Sequence, residues 1–159
     1  MKLHNMKLGE QKQNGNMKIK EGKDEMSMTG YVYLVSKAWQ LKDVPQFAFV
    51  GLYTLLIWNI GARNCSVGGI QYSHLNWSID AITVTLPVTK CNQSAENVYP
   101  KHIYANPYCP SICPFLMLGL HILLCSQLPS NGGLFSGADQ PKRFYNWLVT
   151  ELMKAGSCY

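Results

Sequence analysis

Arginine is almost missing from this chain. Among 159 residues only Arg63 and Arg143 are arginines, and lysine supplies the rest of the positive charge. Charge of any kind is sparse, at 14% of residues against 47% hydrophobic. That balance excludes a chain held open by its own charge and fits a globular or membrane protein. Long apolar runs are missing too. The two longest, Phe47–Ile60 and Ile112–Leu124, span 14 and 13 residues. A bilayer needs about 18–20, so both are read as buried core helices. Residues 1–27 lack the apolar core of a secretory signal. Without that context the six cysteines read as reduced, intracellular thiols rather than a disulfide framework. No internal repeat is present.

The charge that exists is unevenly placed. Residues 1–23 hold six lysines against Glu10 and Glu21, while the remaining eight basic and seven acidic residues nearly cancel. Residues 1–26 are rich in Lys, Gln, Asn, Gly and Met and have no hydrophobic period. They are read as a disordered basic leader, solvated and able to touch phosphates or anionic lipid. Residues 27–156 are long enough to form one domain with its own core.

Ser27 can cap a helix. The spacing of Met28, Tyr31, Val32, Val35, Ala38 and Trp39 predicts an amphipathic helix over 28–41. Pro45 suits the first turn of a second helix. Residues 46–60 are apolar nearly all round, which predicts a centrally buried helix. Gly61 can end it in the left-handed conformation. Val67–Tyr72 is a weak strand candidate because of Gly68-Gly69, and His74–Ile79 is a turn or second short strand. Ala81–Leu86, with its β-branched residues, is the clearest strand. Tyr99–Ala105 is its return partner across a polar loop. Pro110–Pro114 opens a helix to about Ser126. Asp139 can cap a last helix with Phe144, Trp147, Leu148 and Leu152 on one face. The fold class is therefore α+β: mainly helical, with a small three-stranded antiparallel sheet.

Several short motifs occur in a telling order. Trp58-Asn59 lies on a helix that runs out to Arg63. His74-Leu75-Asn76-Trp77-Ser78-Ile79-Asp80-Ala81-Ile82 follows, then Thr89-Lys90, then Lys101-His102-Ile103-Tyr104-Ala105-Asn106-Pro107. Cys113-Pro114-Phe115-Leu116 opens a helix. Leu134-Phe135-Ser136-Gly137 precedes Arg143-Phe144. Over residues 26–150 this set resembles the front half of the tyrosine recombinase catalytic domain, and most nearly the Crypton-like transposon recombinases. The resemblance rests on the ordered set rather than on any single motif. It implies a partial recombinase catalytic fold.

It also implies strand-exchange chemistry through a protein–DNA phosphotyrosine. Arg63 matches the family's first arginine, which holds the non-bridging oxygens of the phosphodiester as they gain charge. Lys90 matches the hairpin lysine that protonates the departing 5′ oxygen. Lys101 and His102 join Arg63 and Lys90 as the implied DNA-binding residues. Departures from the pattern limit the activity. The sequence has no His-x-x-Arg, and it stops at Tyr159, ahead of where that helix and the tyrosine nucleophile are expected. Ser66 stands where the family often has an acidic residue. The family's N-terminal DNA clamp has only the leader in its place. The expectation is a truncated recombinase-like protein, an inactive relative of a DNA strand-exchange enzyme. It binds duplex DNA through phosphate contacts and does not cleave it alone. No cofactor, metal or membrane partner is expected. The resemblance allows a homo-oligomer on DNA, and an intracellular, nuclear location follows from the partner.

Other readings stand beside this one. Arg63 suits the carbonyl end of the buried helix whatever its ancestry, and Lys90 alone would be a solvated loop lysine. His74 and His102 suit a partly buried sheet. Trp39, Trp58, Trp77 and Trp147 read as core or core-edge aromatics. Cys109, Cys113, His121 and Cys125 are spaced so that a zinc site is conceivable, which makes a small zinc-stabilised or protein-interaction module without a nucleic-acid role the alternative function. Finally, the apolar faces around 47–60 and 114–125 raise a third expectation, a chain that needs further helices to fold stably.

Overall fold

A helix with no polar side has to be covered on every side, and the chain is arranged to do this. The computed structural model describes residues 26–86, 99–125 and 132–156. The expected leader and Lys90 lie outside them. The central helix, α2 (Val44–Ile60), buries Ala48 through Leu56 without a break, and Ile60 as well. The Asp43 carboxylate caps its start by accepting from Gln46 N–H at 3.0 Å, and Pro45 sits in the first turn. Gly61 ends it at φ 62°, a left-handed conformation that costs glycine nothing.

The first cover is α1 (Met28–Trp39). Ser27 Oγ caps it by accepting from Gly30 N–H at 3.1 Å. Its buried stripe is Tyr31, Leu34, Val35 and Ala38, the i, i+3, i+4, i+7 set of one face. Met28 and Val32, expected on that stripe, are exposed, and Leu34 takes the inner position. Tyr31 stacks on Trp58 with ring centroids 4.4 Å apart, and Trp39 tilts onto Phe47 at 5.1 Å. The early part of α1 therefore meets the late part of α2, and the two run antiparallel.

Val67–Tyr72 is not a strand. Residues Asn64–Gly68 form a short helix, α3, and Tyr72–His74 a 3-10 turn. Gln71 keeps one isolated bridge to Gly133. A helical turn lets both Val67 and Ile70 reach the core, where each is fully buried. The sheet is the expected three-stranded meander, with β1 (Leu75–Ser78), β2 (Ala81–Val84) and β3 (Lys101–Tyr104) in the order β1-β2-β3. Both pairings are antiparallel, with Trp77 opposite Ile82 and Ile82 opposite Ile103. The β1–β2 turn puts Ile79 at φ 34° with 95% of its surface exposed. A β-branched side chain in that region is strained.

The opposite cover is α4 (Pro114–Leu124), entered through a 3-10 turn at Pro110–Ile112. It meets α2 where Gly51 faces Met117. A Cβ on Gly51 would lie 2.8 Å from Met117 Sδ and Cε, so a larger residue there would force the Met117 side chain to shift. The last helix, α5 (Gln140–Gly156), starts after Asp139, whose carbonyl accepts from the N–H groups of Lys142 and Arg143. Phe144 and Trp147 are buried as expected, but Leu152 is exposed. An aromatic cluster joins these parts. Tyr53 lies 4.7 Å from Phe144 and 5.1 Å from Phe135 and Phe49. Its hydroxyl donates to Asn64 O at 2.6 Å, and Asn64 Nδ2 donates to Pro141 O at 3.0 Å. Tyr53, Leu52 and Leu55, at the centre of α2, are fully buried.

Two outcomes are expected. Burial pushes the Tyr31 hydroxyl from its ordinary 10.0 up to about 12, against a smaller opposing hydrogen bond from Asn59. The folded protein then holds this proton more tightly than the unfolded chain. The associated stability is intact below pH 10 and is lost as pH rises toward 12. Urea midpoints measured across that window should fall, and less steeply in Tyr31→Phe; equal slopes would contradict the assignment. Ile79→Gly should stabilise the fold by about 1 kcal/mol by relieving the turn, read as a higher thermal midpoint.

Candidate functional site

The elements around the end of α2 position Arg63. The αL residue Gly61 turns the chain out of the helix, and Arg63 becomes the residue before α3, with φ −72° and ψ 153°. Its carbonyl accepts from Val67 N–H at 3.1 Å, so the backbone is held from both sides. The side chain is exposed, and among the described residues its guanidinium has no hydrogen bond, ion pair or ring contact. It does not cap the carbonyls of α2. The result is a fixed backbone with a free, always-charged fork at its surface.

The other arginine is committed. Arg143 Nη1 donates to Ser136 O at 2.7 Å, and its Cζ lies 4.2 Å from the Phe49 ring centroid, within cation–π range. Arg143 therefore ties α5 to α2 and to the loop before it. The two arginines have separate uses, one structural and one unspent.

Lys101 and His102 are adjacent on β3, and both are exposed. Alternation along a strand sends them to opposite faces of the sheet. Lys101 shares a face with Leu75 and Val84, whereas His102 shares one with Asn76 and Thr83. Tyr104 stands on the His102 face, with ring centroids 6.4 Å apart and planes 20° from parallel. The pair is not one basic patch. No hydrogen bond, ion pair or ring contact among the described residues links either of them to Arg63.

The four residues with metal-like spacing do not converge. Among the described residues no group of three or more His, Cys, Asp or Glu is arranged to hold a metal ion. Cys113 Sγ accepts from Asn106 N–H at 3.3 Å, and Cys109 Sγ lies 3.3 Å from Ser111 Oγ. His121 is 2% exposed and is spent on backbone. Its Nε2 lies 2.9 Å from Leu134 O, and its Nδ1 lies 3.2 Å from Ala48 O. The shorter contact assigns the proton of a neutral ring to Nε2, donating to Leu134. Cys125 Sγ sits 3.9 Å from Nδ1, where a thiol hydrogen can be donated. Burial pushes the Cys125 thiol up, against the smaller lowering effect of Arg143. The ring thus pins the segment carrying Leu134 onto α4 and α2.

What the sequence pattern did not reveal is the outer face of α4. Expected to be a buried core helix, α4 buries only Pro114, Met117 and His121. Leu116, Ile122, Leu123 and Leu124 are exposed, as is Trp77 at 70%, which was expected in or near the core. Trp77 packs edge-on against Phe115 at 5.4 Å. A groove of about 440 Å³ runs between α4 and the sheet, lined by Trp77, Ile82, Phe115, Leu118, Gly119 and Ile122. The signal available in the sequence was near-uniform apolarity: a helix whose one polar residue, His121, is itself buried gives no clue to which side is covered.

A second cleft, of about 560 Å³, lies between the start of α2 and α5. Its charges are already engaged. Glu151 Oε1 accepts from Lys154 Nζ at 2.6 Å, Asp43 caps α2, and Arg143 lies on Phe49. Trp147 Nε1 is buried there without a partner, too enclosed for a molecule in the cleft to reach.

No protein-family model matches the chain, and no curated protein matches it either. Among the described residues no helix is long and apolar enough to cross a membrane.

His121→Leu should lower stability by about 1–3 kcal/mol, because Leu134 O loses its donor in a closed interior. Chemical denaturation measures this. Zinc or a chelator should leave the wild-type midpoint unchanged, and a chelator-induced fall would mean that the thiols and His121 do hold metal.

Proposed function

We propose that this protein binds duplex DNA as a relative of the Crypton-like tyrosine recombinases. In this reading Arg63 contacts the phosphate backbone, and Lys90, Lys101 and His102 add contacts around it. The observation that carries the proposal is the state of Arg63. It follows the glycine-terminated end of the most buried helix, and its guanidinium is exposed and has no partner among the described residues. A planar cation on a fixed backbone suits a phosphate oxygen pair. The ordered motifs of the sequence, Trp58-Asn59 through Arg143-Phe144, support the family relation, and the α+β fold with its small antiparallel sheet is compatible with it.

The chain by itself does not cleave DNA in this reading. Arg143, its second arginine, is occupied by Ser136 O and the Phe49 ring, and the sequence has no His-x-x-Arg. Arg63 and Lys90 are counterparts of catalytic groups rather than a working pair. The setting is DNA integration and recombination by a transposable element, with a nuclear location. Lys101 and His102 face opposite sides of the sheet, so they reach separate phosphates or strands.

A second reading, a protein-interaction module without a nucleic-acid role, is favoured by the exposed apolar face of α4. Fluorescence anisotropy with a labelled duplex at graded salt separates the two. The DNA reading expects binding at low salt, with log K falling by about 0.9 per decade of salt for each phosphate contact. Arg63→Ala should weaken binding roughly tenfold and flatten that dependence by about one contact, while Arg63→Lys retains part of it. Undetectable binding at low salt would sink the reading. Nicking of supercoiled DNA by the wild-type chain would sink its non-cleaving part.

A further inference from the structure

We infer that the outer face of α4 is a self-association surface, on which two copies of this chain pair α4 against α4 around Gly119. The inference does not depend on DNA binding.

The argument starts from the placement of residues around α4. At 3.6 residues per turn, Gly119 stands opposite the buried stripe of Pro114, Met117 and His121. Phe115 and Ile122 flank it on the side of the sheet, and Leu116 and Leu123 flank it on the other. A Cβ built on Gly119 meets nothing within 4 Å, so the centre of this face is an open notch. Leu123 beside it is 76% exposed, and Leu116 and Ile122 are 41% and 46% exposed. One helix face thus carries both a ridge and a notch. That is what a two-fold interface demands, because the same patch must fit itself. Leucines from one copy fill the notch of the other, and the absent side chain lets the helices approach closely.

Charge points the same way. Residues 102–138 contain no Asp, Glu, Lys or Arg. The α4 part of the surface therefore adds no like-charge repulsion, and Lys101, on the Leu75 and Val84 face of the sheet, is the one charged neighbour among the strand residues on that face. A lipid surface is also a poor fit, since α4 has no lysine or arginine for headgroups. The area is adequate. Leu116, Ile122, Leu123 and Trp77 are the exposed apolar residues of this face and leave on the order of 500 Å² of apolar surface on each copy. Covering it on both removes about 1,000 Å², the lower bound of a specific interface. The expected assembly is therefore a dimer that dissociates on dilution.

Sedimentation velocity of the full chain without DNA, from micromolar to about 0.1 mM, should show a monomer–dimer equilibrium. Leu123→Lys should raise the dissociation constant at least about tenfold. Gly119→Ala adds only a Cβ, which meets nothing within 4 Å in its own chain, so it should weaken the dimer while leaving the monomer's melting temperature equal or higher. That combination separates an interface role from a folding role. A wild-type chain that stays monomeric at every concentration would overturn the inference. So would a dimer indifferent to both substitutions, growth into large open aggregates, or a monomer captured by neutral or anionic vesicles.

Discussion

The constraint on which the rest of the structure depends is the lack of a polar face on α2. Ala48 to Leu56 is buried in an unbroken run, so every neighbouring element is recruited as cover. Each cover uses a different device. Tyr31 stacks on Trp58 from α1, and Gly51 admits Met117 of α4. Tyr53 gathers Phe135 and Phe144 and donates to Asn64. Fully burying one large apolar side chain contributes about 1.5–3 kcal/mol, and α2 supplies several. Of the polar groups that enter this core, His121 finds a partner in Leu134 O, whereas Trp147 Nε1 finds none among the described residues.

This arrangement explains how two arginines come to differ. Arg143 lies on α5, whose job is to cover the aromatic cluster, and its guanidinium is absorbed by Phe49 and Ser136. Arg63 lies where the covered helix ends. Gly61 turns the chain outward there, and nothing among the described residues claims the side chain. The same logic operates on α4. One stripe of that helix is enough to cover α2, so its remaining apolar surface has no work inside the monomer. A surface of that kind, left on a folded chain, favours association over solvation. The exposed guanidinium of Arg63 and the uncovered side of α4 therefore both lie where the cover of the central helix ends.

Much of the architecture was legible in the chain. Ser27, Pro45 and Gly61 marked helix ends, and their caps and φ values agree. The β-branched run at Ala81 marked the central strand, and the α+β class with a three-stranded meander followed. These signals are local: each depends on a residue's own dihedral preference or on a period of a few residues. The strand expected at Val67–Tyr72 failed because its two apolar residues reach the core from a helical turn as well as from a strand. Trp77 was read as a core or core-edge aromatic on residue type alone, and it is 70% exposed.

The sequence by itself determined the kind of elements, their order, the burial of α2 and the presence of one isolated arginine after a helix stop. Only the tertiary structure decided three further matters. It placed His121 between the carbonyls of Ala48 and Leu134, far apart in the chain, and directed its proton to Leu134. It engaged Arg143 and left Arg63 without a partner among the described residues. It covered one side of α4 and exposed the other. The physical reason is common to all three. Composition fixes what a side chain can do, but its partners and its exposure are set by which distant segments pack against it.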